Sequence, residues 1–172
     1  MTGPLLLRTQ VALEDCERHL DTTATKGSPI EAYLTQYVLV TMCAEVQETF
    51  IAMLQAIAER GCDTDTATLT KALIKKSVKG ASKDFMAETL DLFGRGYKQQ
   101  FNGMLEEAQV VRYKNAVSER HLVAHYSGTN ISLLDLRLAV TAAIHILSQA
   151  QFVLQSGGQA RGRTGPNRTA TP

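Results

Sequence analysis

The sequence predicts an all-α fold, and three observations carry that expectation. Long stretches are rich in Ala, Leu, Gln, Glu and Lys, and the 172 residues include only four Pro, a composition that argues against a β architecture. Apolar residues recur every three or four positions through most of the chain, the period of a helix with one buried face. Hydrophobic residues make up 44% and charged residues 20%, so a chain of this length can bury a core without disulfides or metal. With aromatics at 6% and no Trp, that core is expected to be mostly aliphatic.

The elements follow in order. Residues 5–22 read as a first helix with Leu6, Val11, Leu13 and Leu20 as its apolar positions, followed by a linker over 23–28. Ser28-Pro29-Ile30-Glu31 is a helix start: Ser can cap, Pro suits the first helical position, and Glu31 stands three after Ser28 as in a capping box. From there a long helix is expected to Arg60, stopped by Gly61, with Leu34, Tyr37, Val38, Met42, Val46, Phe50, Met53, Leu54 and Ile57 on a broad buried face. Asp63 to Thr66 form a turn with cap candidates, and a short helix is expected over 67–78, broken by Gly80. Ser82 caps another that ends at Gly94, and Gly94-Arg95-Gly96 is a break. Two further helical stretches cover 97–108 and 110–125. After a turn at 127–130, Ser132 caps a last long helix to about Gln155, with Leu133, Leu136, Ala139, Val140, Ala143, Ile144, Leu147 and Phe152 facing the core and Gly157-Gly158 ending it.

Three parts result: an N-terminal helix and linker (1–27), one helical domain (28–157) and a basic tail expected to be disordered (158–172). The architecture is a bundle of two long helices and a final helix pair with short helices inserted between them.

Net charge gives no support for a general nucleic-acid coat protein. There are 18 basic and 17 acidic residues, and without Arg161, Arg163 and Arg168 of the tail the count is 15 against 17. Contact with nucleic acid must come from a local patch. The three cysteines, Cys16, Cys43 and Cys62, have no CxxC spacing, so neither a zinc site nor a disulfide framework is expected. Residues 1–8 lack the basic n-region of a signal peptide, and no uninterrupted apolar run approaches the ~20 residues that cross a bilayer. The cytoplasm, with reduced thiols and no membrane partner, is the expected location.

One cluster carries chemistry: Ser118-Glu119-Arg120-His121-Leu122-Val123-Ala124-His125-Tyr126, just before Ser127-Gly128. Arg120 offers a permanent cation with a planar donor fork suited to phosphate oxygens. His125 titrates near neutrality and can give or take a proton. RNA transesterification needs both: a base for the 2′-OH, an acid for the departing 5′-oxygen and a cation for the phosphorane. On a straight helix a five-residue step separates the two positions by about 140°, so the pair serves one cleft better across a two-fold axis, where a homodimer supplies two imidazoles.

Arg120, four residues, then His125, preceded by small Ala124 and followed by a Gly turn and a last long helix, resembles the motif of the HEPN superfamily, in which many members have Arg-Asn-x-x-Ala-His-Gly. A long helix after Ser28-Pro29, short helices, and Leu92-Phe93-Gly94 with Tyr97-Lys98 resemble the RiboL-PSP type; the resemblance covers residues 28–155. It implies a HEPN-like helical bundle and a metal-independent, cofactor-free endoribonuclease, often homodimeric, of the kind found in toxin–antitoxin and phage-defence systems. Arg120 and His125 would be the catalytic pair, His121 the polar companion, and Ser118, Glu119 and Tyr126 supporting neighbours. An antitoxin or sensor protein would be a further partner.

Lys71, Lys75, Lys79 and Lys83 fall at successive fours in an acid-free stretch between Asp65 and Asp84, which fits a stripe for an RNA backbone or simply a solvated face. Arg112 and Lys114, with Arg95 and Lys98, are further candidates for phosphate contact. Other readings stand beside the nuclease. Arg120 and His125 also fit a solvated helix end with ion pairs to Glu119 or elsewhere. His121 and His125 have metal-ligand spacing but no evident third ligand. Ser118 could pair with a His as a nucleophile, without a recognisable acid or oxyanion loop. The whole chain could be a non-catalytic helical module that binds a partner or nucleotide and dimerises.

Overall fold

The computed structural model describes residues 4–61, 63–94, 96–125 and 131–161. Seven helices and no strand occur among them: α1 (Leu7–Thr23), α2 (Pro29–Gly61), α3 (Thr64–Ser77), α4 (Lys83–Asp91), α5 (Tyr97–Gly103), α6 (Glu107–His125) and α7 (Leu133–Arg161). The protein is an all-α bundle.

Most helix starts are written locally. Ser28 Oγ accepts from the Ile30 amide at 3.2 Å, Asp63 accepts from Asp65 and Thr66 at 3.1 Å each, Ser82 accepts from Phe85 at 3.2 Å, and Ser132 accepts from Asp135 at 3.1 Å. The expected capping box at Ser28 is displaced by one residue. Glu31 accepts from the Gly27 amide, because the Ser28 amide already donates to the Thr25 carbonyl. Asp63 starts α3 at Thr64, three residues before the expected 67.

α1, like α5, has no side-chain cap of its own. Its N-cap Leu6 sits in the left-handed region (φ 56°). The cap comes from α2: the Glu45 carboxylate accepts the Arg8 amide at 3.1 Å, the Thr9 amide at 2.8 Å and the Thr9 hydroxyl at 2.7 Å. That bond set pins α1 antiparallel on α2.

α2 and α7 run parallel through the centre. Val38, Leu39, Met42, Val46, Phe50 and Leu54 of α2 and Leu136, Ile146, Leu147 and Val153 of α7 are almost fully buried. Each such side chain contributes roughly 1.5–3 kcal/mol of transfer free energy. Ala139, Ala142, Ala143 and Ala150 keep α7 thin where its neighbours press on it. α6 returns antiparallel to α7, α3 lies along the C-terminal half of α2, and α4 and α5 pack on α7. Arg137 of α7 pairs with Glu17 of α1, with Nε to Oε1 at 3.0 Å. The Tyr113 ring is fully buried and its hydroxyl donates to the Ala81 carbonyl, fastening α6 to the segment before α4.

Four expectations need correction. The last helix does not stop at Gly157-Gly158 but runs through both to Arg161, so the boundary placed at 157 falls inside α7. A Cβ at position 157 would overlap the Tyr97 ring and hydroxyl, so this glycine is a packing site for α5 rather than a terminator. The 97–108 stretch ends early, at Gly103, and the helix after Ser82 ends at Asp91 rather than Gly94. Tyr37 and Phe152, placed on core faces by their period, are 60% and 50% exposed. The residues after 161 lie outside those described.

Gly157→Ala is expected to destabilise the protein, by up to about 1 kcal/mol, because the half-buried Tyr97 ring must shift to admit the methyl group. An open helical glycine would instead gain roughly 0.5–1 kcal/mol from the same change. Thermal unfolding of Gly157→Ala, Tyr97→Leu and the double variant checks this: Gly157→Ala should cost less in the Tyr97→Leu background than in the wild type.

α2 and α7 each contain an 18-residue window of mean hydropathy 1.3, long and apolar enough by composition to cross a bilayer, which the short apolar runs did not suggest. Half of each window is buried in the bundle. Every 18-residue window of α2 contains Glu45, whose carboxylate is engaged at the start of α1.

Candidate functional site

α6 positions the site. It stays helical through His125, so positions 120 and 125 stand about 140° apart around the axis with about 7.5 Å of rise between them. Tyr126 and the turn at 127–130 lie outside the described residues, as do the side chains of His121 and His125.

Arg120 lies at a groove of about 340 Å³ between α6, α2 and the segment joining α3 to α4. Lys79 lines the same groove, with Gln47 and Ser82 as polar walls and Phe85 and Val117 as apolar ones. Gln47 Nε2 donates to the Val78 carbonyl at 2.9 Å and thereby holds the segment that carries Lys79. Arg120 is exposed and has no carboxylate partner among the described residues, so the pairing with Glu119 does not form. Cys43 forms part of the groove floor. Burial pushes its thiol up to about 11, against a smaller opposing pull from the Arg120 charge, so it stays protonated at neutral pH. It packs, as its place in the apolar stripe suggested.

A second compartment of about 240 Å³ adjoins the first and shares Ser82 and Val117 with it. Here the Asp84 carboxylate meets Lys114 Nζ at 2.8 Å and Lys83 Nζ at 3.2 Å. The Lys114 hydrogen bond holds the Asp84 carboxyl below its ordinary 3.8, and Lys83 adds to the effect. Ser118 lines this compartment and also a third, of about 440 Å³, on the far side of α6. Arg112, Glu119 and Asp135 are among the residues that line this third space.

The structure thus brings together Arg120 with Lys79, and Lys83 with Lys114 and Ser118. It separates Arg112 and Glu119 from Arg120. The lysine stripe is not one helical face: α3 ends at Ser77, Lys79 follows on the connecting segment and Lys83 opens α4. Lys71 is paired with Glu59 at 2.8 Å, and neither Lys71 nor Lys75 lines the Arg120 groove. Gln47, Asp84 and Phe85 were not read as site residues. Only Asp84 had a sequence signal, as the first acid after the acid-free run.

Among the described residues, no three His, Cys, Asp or Glu side chains gather as a metal would require. His145, read as structural, has its Nε2 buried without a hydrogen-bond partner in the described structure, as does Gln109 Oε1. No protein-family model, curated protein or solved structure matches the chain.

Proposed function

We propose that the protein is a metal-independent endoribonuclease of the HEPN type that acts as a homodimer. The observation that carries this reading is Arg120, a permanent cation without a carboxylate partner among the described residues, beside Lys79 at a groove with an apolar wall. A phosphodiester fits that environment: the guanidinium fork takes its oxygens, and the wall of Phe85 and Val117 takes a base or ribose face.

In the proposed reaction one imidazole takes the 2′-OH proton and the 2′-oxygen attacks phosphorus. Arg120 stabilises the charge on the phosphorane, and a second imidazole protonates the leaving 5′-oxygen. The products are a 2′,3′-cyclic phosphate and a 5′-hydroxyl. The wide angle between positions 120 and 125 on α6 favours drawing the two imidazoles from two chains.

A seam suited to a second copy runs along α2. Ile30, Tyr33, Tyr37, Val40 and Ala44 repeat at spacings of three and four, and all are exposed, Tyr33 at 69% and Tyr37 at 60%. Residues 32–44 carry no charge, so like segments can meet across a two-fold axis without repulsion. Ala44 also lines the Arg120 groove, so the seam leads to the site.

Incubation with single-stranded RNA in EDTA tests the reading. Cleavage that survives chelation, yields cyclic phosphate ends and disappears in His125→Ala supports it. A wild-type protein inert toward RNA would favour a non-catalytic binding module. Tyr37→Lys is expected to convert the dimer to monomer in light scattering and to remove cleavage while leaving helicity intact. An unchanged mass would mean that the seam is not the interface.

A further inference from the structure

The compartment beside the Arg120 groove holds two lysines from different helices converging on one carboxylate. Lys83 comes from α4 and Lys114 from α6, and Asp84 bridges them at 3.2 and 2.8 Å. The Lys83 side chain is only 15% exposed, whereas the Asp84 side chain is 60% exposed. The cation is therefore fixed in the wall and the anion stands at the solvent edge. The exposed carboxylate is free to move, but the half-enclosed Lys83 ammonium needs an anion beside it, so Asp84 leaves only when another anion takes its place. Two ammonium groups around a two-oxygen anion are also what the non-bridging oxygens of a phosphate require.

We infer that Lys83 and Lys114 form a second phosphate site, that Asp84 occupies it in the free protein, and that the protein therefore holds more than one phosphate of an RNA strand. The inference rests on the ribonuclease reading and deepens it by naming where a phosphate beside the Arg120 groove is held. Ser82 and Val117 line both compartments, so on this reading the strand passes over them, along a path from Lys79 and Arg120 to Lys83 and Lys114. A strand entering the path takes the lysines from Asp84, which makes that carboxylate a built-in competitor of the substrate.

The test is binding of a 2′-O-methyl RNA 12-mer, which cannot be cut by 2′-OH attack, across a salt series. Asp84→Asn should tighten binding by on the order of three- to tenfold at low salt. It should also steepen the dependence of log K on log salt by up to about 0.7, the contribution of one more phosphate contact on a single strand. Lys114→Gln should weaken binding and flatten the same dependence, with circular dichroism confirming that both variants are folded. The inference is overturned if Asp84→Asn leaves affinity and salt slope unchanged, or if a nucleoside monophosphate binds as tightly as the strand. Cleavage is scored separately. A strand that binds in the expected pattern but is never cut sinks the nuclease and spares the path. RNA that is cut with no response to Asp84→Asn spares the nuclease and sinks the path.

Discussion

Arg120→Ala is expected to lower the RNA cleavage rate by at least 10²- to 10³-fold, the usual loss when one preorganised donor to a transition-state oxyanion is removed. The fold should not register the change. Arg120 is exposed and makes no ion pair with any described residue, so unfolding should shift by no more than about 0.5 kcal/mol. This separation of activity from stability distinguishes a site residue from a structural one. Arg120→Lys should recover part of the rate, because it keeps the charge but loses the planar fork that grips two oxygens together. His125→Ala should cost 10²- to 10⁴-fold, the range for a lost general acid or base. The measurement is single-turnover cleavage of a labelled RNA in EDTA, beside thermal unfolding of each variant. Full activity in Arg120→Ala would remove the groove from the chemistry.

The helix starts were legible because they are local. Ser28, Asp63, Ser82 and Ser132 each cap the next residues with their own side chain, and nothing distant is needed. Helix ends were read less well, because a glycine's meaning depends on what lies beside it. Gly103 ends α5, whereas Gly157 is kept inside α7 by the Tyr97 ring packed against it. Period alone also misassigned Tyr37. α2 is apolar on two sides, and a three-and-four spacing marks its outer seam as readily as its core face.

The site divides in the same way. Arg120 stood out as a motif residue, and Lys79 as part of a lysine series. Their meeting at one groove depends on α3 ending at Ser77 and on Gln47 holding the Val78 carbonyl from another helix. The pairing of Asp84 with Lys114, thirty positions away, likewise exists only once α6 packs beside α4. Residue types reveal which groups can do chemistry, but long-range packing decides which of them meet.

Glu45→Ala should be the most destabilising single substitution outside the central α2–α7 core. Glu45 is 8% exposed and accepts three hydrogen bonds at the start of α1, with Arg8 Nε a further 3.6 Å away. Losing an N-cap costs about 1 kcal/mol, and stranding buried donors costs about 1–3 kcal/mol more. Thr9 is fully buried, so its amide and hydroxyl have no solvent to turn to. The expected total is roughly 3 kcal/mol, on the order of a 10 °C fall in Tm for a domain of this size. Glu45→Gln keeps one acceptor oxygen and should lose about half as much.

The acid limb supplies an independent check. Burial alone would push the Glu45 carboxyl up, but the Thr9 hydroxyl and the Thr9 and Arg8 amides together outweigh it and hold the group below its ordinary 4.5. A depressed carboxylate contributes stability that is fully present above the unfolded value. That contribution is lost as pH falls below 4.5 and through the folded value. The wild type should therefore lose stability more steeply below 4.5 than Glu45→Gln, whose side chain does not titrate. Hydrogen exchange should locate the change at α1, where the Arg8 and Thr9 amides lose protection first. Parallel acid limbs in the two proteins would mean that the carboxylate does not hold α1 in place, and the cap would have to be sought elsewhere.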